Sequence, residues 1–501
     1  MPAAIARQII NRLVVLAVCL TPLFYLPGLR LMNALLDSKW YLLHAIGGAL
    51  LAFWGIRLLA GEAGSARSSR KRPDELRGPG PTHWPLIGYL GCVAVSALAS
   101  TEPALSLRAG LIPAYFLLLS LTPLLLNWPP AQIRRLLLFV LTTGLLVALS
   151  AFWQVVDEAS FYKLIPYRVT FGEARVSVLG TIGNPEYLGT FLAPILLLGA
   201  PALLWERGWR RVGLAAVLGL MALVILLTTA RGAVLGVAVG ALVLLGLIQR
   251  RKLLPFGRRV LIALAGLAAA VLVLAALLSF PNPVNVKGWE ILPRFARMFD
   301  VHSDSIYERI VFYSIAADMI ASHPLTGTGE GMFGVQFYHT LYAMSERDPG
   351  AAIEGAFAYL NNRVATKAHS DWLEIWAENG TPAFLAFLLA MVVTLRLGWQ
   401  AACQPPDAAS SSSRATNAPH PSPTPPSLDH SGSGNHRLNA LTRDSRSAPC
   451  ALMLALYPAF VCILVYSLFS FPMQMPSRGP LFWAIWGCLA QTIRLIREER
   501  A

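Results

Sequence analysis

The stretch Ala368-His369-Ser370-Asp371-Trp372-Leu373-Glu374 closes a polar segment that runs from Pro281 to Lys367 in an otherwise apolar chain. His369, with an ordinary imidazole pKa of about 6.5, can take up a proton at neutral pH and so act as a general base. Four arginines, Arg168, Arg175, Arg231 and Arg309, fall in or beside the segments that share its side of the membrane. Arg231 sits between two apolar runs, where a charge is costly unless it is paired or functional. Guanidinium is a planar fork that matches phosphate oxygens bidentately. Any one of these arginines is equally explained by snorkelling to headgroup phosphates, and a single histidine beside a span by a structural role. Several cations converging near one loop point instead to an anionic ligand at the outer leaflet.

Other chemistry has little to stand on. Gly329-Glu330-Gly331-Met332-Phe333-Gly334 matches the dinucleotide pattern GxGxxG, but that fingerprint needs a preceding strand, and here a helix precedes it. Gly327, Gly329, Gly331 and Gly334 therefore read as a structural turn. His302, His323 and His339 are scattered without metal-ligand spacing, so no metal site is expected. The cysteines form neither a CxxC site nor a disulfide framework. No nucleophile elbow, DxD pair or Walker loop is present, which argues against a soluble-type hydrolase, a metal-dependent nucleotide-sugar transferase and an NTPase.

The elements that must position these residues are membrane helices. Of 501 residues, 55% are hydrophobic and only 14% charged, against about 25% charged in a soluble domain, and the mean hydropathy is +0.55. Apolar windows of about 20 residues, the length that crosses the hydrocarbon layer, recur about twelve times. They begin near Ile9, Lys39, Trp84, Ser106, Ile133, Glu186, Val212, Gly232, Arg259, Pro382, Pro449 and Gly479. With the N-terminus in the cytoplasm, the inside loops collect Arg67 to Arg77, Arg134-Arg135, Arg207 to Arg211, Arg250 to Arg259 and Arg494 to Arg500, as the positive-inside rule requires. The charge of +14 is thus a topology signal rather than a nucleic-acid footprint. Spans one to nine occupy 1–280, the large outside loop 281–370, span ten 371–400, and spans eleven and twelve 448–501. Residues 401–447, rich in Ser, Pro and Asn, read as a disordered cytoplasmic linker.

Within the loop, Ser305-Ile306-Tyr307-Glu308 is a capping box for a helix that stops at His323-Pro324. Ile306, Ile310, Tyr313 and Ala317 fall on one face, so this helix can lie against the membrane surface or the bundle. A second short helix is expected over Ile353–Arg363.

Four local patterns, in order, resemble the O-antigen ligase and polymerase superfamily. Gly183-Asn184-Pro185-Glu186-Tyr187-Leu188 is similar to its GNPN-type segment, with Glu186 where Asn is usual. Thr229-Ala230-Arg231-Gly232-Ala233 resembles its S/T-x-RGA signature. Arg309 through His323-Pro324-Leu325-Thr326-Gly327-Thr328-Gly329 is similar to its R…HPL-x-G-x-G stretch. His369-Ser370, ahead of Gly380, resembles its H-[N/S]…G motif. The match runs from about Gly172 to span ten.

The resemblance implies an all-α, GT-C-like polytopic fold in the bacterial inner membrane, with both termini cytoplasmic and the large loop periplasmic. It implies transfer of a glycan from an undecaprenyl-diphosphate donor to a hydroxyl, lipid A-core most of all, without cofactor or metal. It gives His369 the role of base and Arg231 and Arg309 that of holding the diphosphate. Arg168, Arg175, Asn184 and Glu186 are expected to line the substrate site. A polymerase or a protein O-oligosaccharyltransferase would share these motifs. A small-anion transporter of the bicarbonate kind is the alternative of another class, but it should bind its solute on charges near the midplane. Here the polar residues gather at the outer ends of the spans.

Overall fold

A computed structural model describes residues 3–26, 34–65, 78–165, 178–251, 273, 276–277, 279–280, 304–347, 366–403 and 448–499. All regular structure among them is helical. In hydrocarbon every backbone N–H and C=O must be satisfied within the chain, and a helix does this within its own length. Eight helices among the described residues are long and apolar enough to cross a membrane, so the chain is a multi-pass membrane protein. They lie in α2 (Ala34–Ser65), α4–α5 (Pro103–Ala109, Leu111–Leu125), α6 (Pro130–Val156), α8 (Pro185–Gly199, continued as a 3-10 turn to Leu204), α9 (Gly208–Leu227), α10 (Arg231–Arg250), α13 (Asp371–Ala402) and α14 (Ala448–Ser467).

Helices α1 (Ala3–Val15), α3 (Trp84–Ala99) and α15 (Gly479–Glu498) stand where the first, third and twelfth spans are expected. The ninth expected span, the linker 404–447 and the helix expected over Ile353–Arg363 lie wholly or largely outside the described residues. A short α7 (Glu158–Leu164) follows α6, and the large loop contributes α11 (Asp304–Ser322) and α12 (Phe333–Arg347).

Close backbone packing organises the bundle. Gly232, Gly236 and Gly240 recur every fourth residue along α10 and face α14. A Cβ on Gly236 would lie 2.8 Å from the Cys462 carbonyl oxygen, and one on Gly240 2.9 Å from that of Pro458. Small residues at such a seam let two membrane helices approach closely enough for dispersion to hold them.

The two ends of the bundle differ. At one end arginines bind backbone carbonyls: Arg7 to Leu126, Arg494 to Leu124 and Gly78, Arg251 to Ala402 and Cys450. Leu126 and Ala402 stand at the C-terminal ends of α5 and α13, where carbonyls lack a partner within their own helix and a cation also suits the helix dipole. The other end gathers the N-termini of α8, α10 and α13.

A kink in α13 sets the geometry of that second end. Gly380 has φ 77° and ψ 173°, and Pro382 follows it, so the helix is two pieces joined at a break. The break frees carbonyls that the glycine turn satisfies. Thr328 N–H donates to Ala377 O at 3.1 Å and Gly329 N–H to Glu378 O at 2.8 Å, while Thr381 N–H donates to Pro324 O at 2.8 Å. Gly327, Gly329 and Gly331 all have positive φ, which lets the turn lie against α13 without a Cβ in the way. The GxGxxG match is thus a structural clasp, except that Gly334 belongs to α12 rather than to the turn.

Toward the bundle α11 buries Val311, Phe312, Ile315, Ala316 and Met319, while Ile310 is 59% exposed. The buried set meets Phe333 and Phe337 of α12, an aromatic surface.

Candidate functional site

The first turn of α8 is built by local chemistry. Asn184 Oδ1 accepts from Glu186 N–H at 2.9 Å and Tyr187 N–H at 3.2 Å, and Pro185 fills the first helical position, whose missing donor costs nothing there. Asn184, expected as a substrate contact, therefore uses its side-chain oxygen as a helix cap. The cap places Glu186 at the end of the bundle where α10 also begins. A Cβ on Gly189, one turn on, would sit 2.7 Å from the Ala230 Cβ. That approach puts Arg231, the first residue of α10, beside the same turn.

Arg309, Phe312 and Tyr313 are three and four residues apart on α11 and so share a face. Arg309 meets the Glu186 carboxylate at 3.9 Å, with 24% and 28% of the two side chains exposed, so the pair is open to a ligand. Phe312 stacks on the His369 imidazole with centroids 5.4 Å apart. The Tyr313 hydroxyl donates to the carbonyls of Leu468 (3.2 Å) and His369 (3.5 Å).

His369 itself has φ 56°, the left-handed region that few residues other than Gly, Asn, Asp and His enter. Both flanks enforce it. Ser370 caps α13 by accepting from Leu373 N–H, and Lys367 is tied to Glu374 and, at 2.6 Å, to Gln474, while Ala368 N–H donates to Glu374 Oε2 at 2.9 Å. The imidazole also meets the Phe471 ring, nearly perpendicular to it, with centroids 5.0 Å apart. Burial lowers the His369 pKa from its ordinary value. The nearby Glu186 carboxylate opposes that shift, and Arg309 and Arg478 add to it.

A second layer of carboxylates lies beneath. Asp371, Glu374 and Glu378 follow one face of α13 and are fully buried, with Glu330 6% exposed beside them. Phe333 N–H donates to Glu378 Oε1 at 2.8 Å and Asn379 Nδ2 to Glu330 Oε2 at 2.7 Å. Burial pushes the Glu330 carboxyl above its ordinary range. For Lys367, burial works against the charged form, but Glu374, Glu378 and Glu330 outweigh it and hold the amine well above its usual value.

Removing one partner of a buried pair leaves the other charge uncompensated, at about 3–5 kcal/mol. Lys367→Met is therefore expected to lower the thermal midpoint of the detergent-solubilised protein markedly. Tryptophan fluorescence on heating checks this, and an unchanged midpoint would contradict it.

The structure thus gathers His369, Arg309 and Glu186 and sets Arg231 at the neighbouring helix start. Arg168 and Arg175 lie outside the described residues. Sequence reasoning missed Arg478, Lys367 and the two phenylalanines that hold the imidazole. Arg478, like Arg231, is a cation beside an apolar run, the signal by which the sequence could have revealed it.

A family model described as O-Antigen ligase matches residues 189–388, from the second turn of α8 to the middle of α13. No curated protein matches.

Proposed function

From a chain whose residues 189–388 form an O-antigen ligase family domain, we propose a glycosyltransferase of the bacterial inner membrane. It moves a glycan from undecaprenyl diphosphate to a hydroxyl of lipid A-core at the periplasmic face. The observation that carries this reading is the imidazole of His369, packed against Phe312 and Phe471 beside the Arg309–Glu186 pair.

In this reading His369 takes the proton of the acceptor hydroxyl as its oxygen bonds to the anomeric carbon. The bond from that carbon to the diphosphate oxygen breaks, and its electron pair leaves with the diphosphate. Arg309 and Arg231 meet the charge that grows there, and the positive ends of α8, α10 and α13 add to the same field. Glu186 pairs with the Arg309 side chain and yields it to the diphosphate. The donor already stores the energy of the bond to be made, so no nucleotide is consumed.

A base must be neutral to accept a proton. Since the His369 pKa lies below its ordinary value, the transfer rate is expected to rise with pH through that lowered pKa and then level off. Glu186 favours the protonated form, so Glu186→Gln should move the acid limb to lower pH. A pH–rate profile of both proteins checks this, and a limb that moves upward would contradict it.

The reading is tested in a deletion strain by its surface-polysaccharide profile. Wild type restores the polymer on lipid A-core if the reading holds. Single unpolymerised repeats in the deletion would favour a polymerase, and an unaltered profile would exclude a role in surface polysaccharide.

A further inference from the structure

Arg478 lies on the turn before α15 and is only 2% exposed, among the largest fully buried side chains of the protein. Its guanidinium donates to Thr190 Oγ1 at 2.7 Å, Ser470 Oγ at 3.3 Å and the Phe471 carbonyl at 3.4 Å. It lies 4.0 Å from the centre of the Tyr187 ring and 5.6 Å from that of Phe471, and those two rings meet edge to face at 5.6 Å. Among the described residues it forms no ion pair, and its Nε has no hydrogen-bond partner.

Every one of these hydrogen-bond acceptors is neutral and could be served by an uncharged amide. A full charge out of water with no carboxylate within ion-pair distance is costly; Glu186 and Asp371 act on it only from further off, and cation–π contact offsets only about 2 kcal/mol. The charge therefore calls for a role beyond holding the turn. Arg478 reaches His369 through Phe471, which it contacts at both carbonyl and ring, and the Phe471 ring packs against the imidazole.

We propose that Arg478 is a positioning residue for His369, fixing the Phe471 ring that packs against it and setting the field in which the imidazole works. This rests on the reading of His369 as the base. The charged groups that act on the imidazole come from three sides: Glu186 on α8, Arg309 on α11 and Arg478 ahead of α15. Two cations against one carboxylate favour the neutral imidazole, the form that accepts a proton.

The test follows the imidazole directly and so does not depend on finding the acceptor. The full chain in nanodiscs, with nitrogen-15 histidine, is titrated by NMR, the His369 signal being identified by its loss in H369N. R478Q is expected to raise the His369 midpoint, because one of the two cations that favour the neutral imidazole is lost, whereas R478K keeps it near wild type. A folded R478Q with an unchanged midpoint, or an R478K that shifts as R478Q does, overturns the proposal.

Should R478Q fail to fold, F471L carries the test together with R478K. F471L removes the ring but no charge, so turnover of a synthetic undecaprenyl-diphosphate glycan should fall about tenfold or more in kcat with KM little changed. Wild-type kcat in F471L overturns the proposal. A wild-type protein with no turnover would end the transferase reading, and the titration would still decide the placement of Arg478.

Discussion

His369→Asn is expected to lower the rate of glycan transfer by about a thousandfold, within the range a positioned general base contributes. Asparagine is the informative replacement because the backbone at 369 is left-handed, with φ 56°. Asparagine enters that region more readily than most residues, so the caps and ties on either side should survive: Ser370 to Leu373, Lys367 to Glu374, Ala368 to Glu374. What is lost is the imidazole packed against Phe312 and Phe471. The expected signature is a fall in kcat with KM and melting temperature close to wild type, read by steady-state turnover and thermal unfolding. A variant with near wild-type turnover would remove His369 from the reaction.

The second large effect is expected at Arg309. Its guanidinium stands at the mouth of the site, partly exposed and against Glu186, where it can meet the charge that develops on the departing diphosphate. Removing one preorganised donor to such a charge costs about a hundredfold to a thousandfold in kcat. Arg309→Gln should lose that much. Arg309→Lys should recover only part, because the ammonium is a point charge without the planar fork. Measured kcat and KM for both variants separate this from simple donor binding. A rise in KM with kcat intact would make Arg309 a binding residue rather than one that acts on the leaving group.

Much of this architecture was legible in the sequence, and for physical reasons. Long apolar windows fix the membrane helices because hydrocarbon leaves the backbone no other solution. The Asn184-Pro185 start of α8 and the His323-Pro324 stop of α11 are local codes that the chain obeys. The break before Arg231 could be read because two apolar runs flank Thr228-Thr229-Ala230.

Where the reading stopped short, the deciding interactions were between distant parts of the chain. The face that α11 turns to the bundle is set by Phe312, which packs on Phe337 and His369. Nothing in the spacing of Thr326 to Gly331 announces that the turn serves the freed carbonyls at Gly380. The two meet only because the break in α13 and the turn fall at the same depth. Lys367 lies two residues before His369, yet its importance comes from three carboxylates supplied by α13 and the glycine turn. Arg478 is more than a hundred residues from His369 in sequence, and only the folded chain brings Phe471 between them.

The most direct test of the account is a transfer assay with the purified full chain in nanodiscs. An undecaprenyl-diphosphate-linked glycan is supplied as donor and lipid A-core as acceptor, and both glycosylated acceptor and released undecaprenyl diphosphate are measured. The account predicts equal amounts of the two products with wild type and about a thousandfold slower formation with His369→Asn. Donor left intact by the wild-type protein, or equal rates in the two proteins, would contradict it.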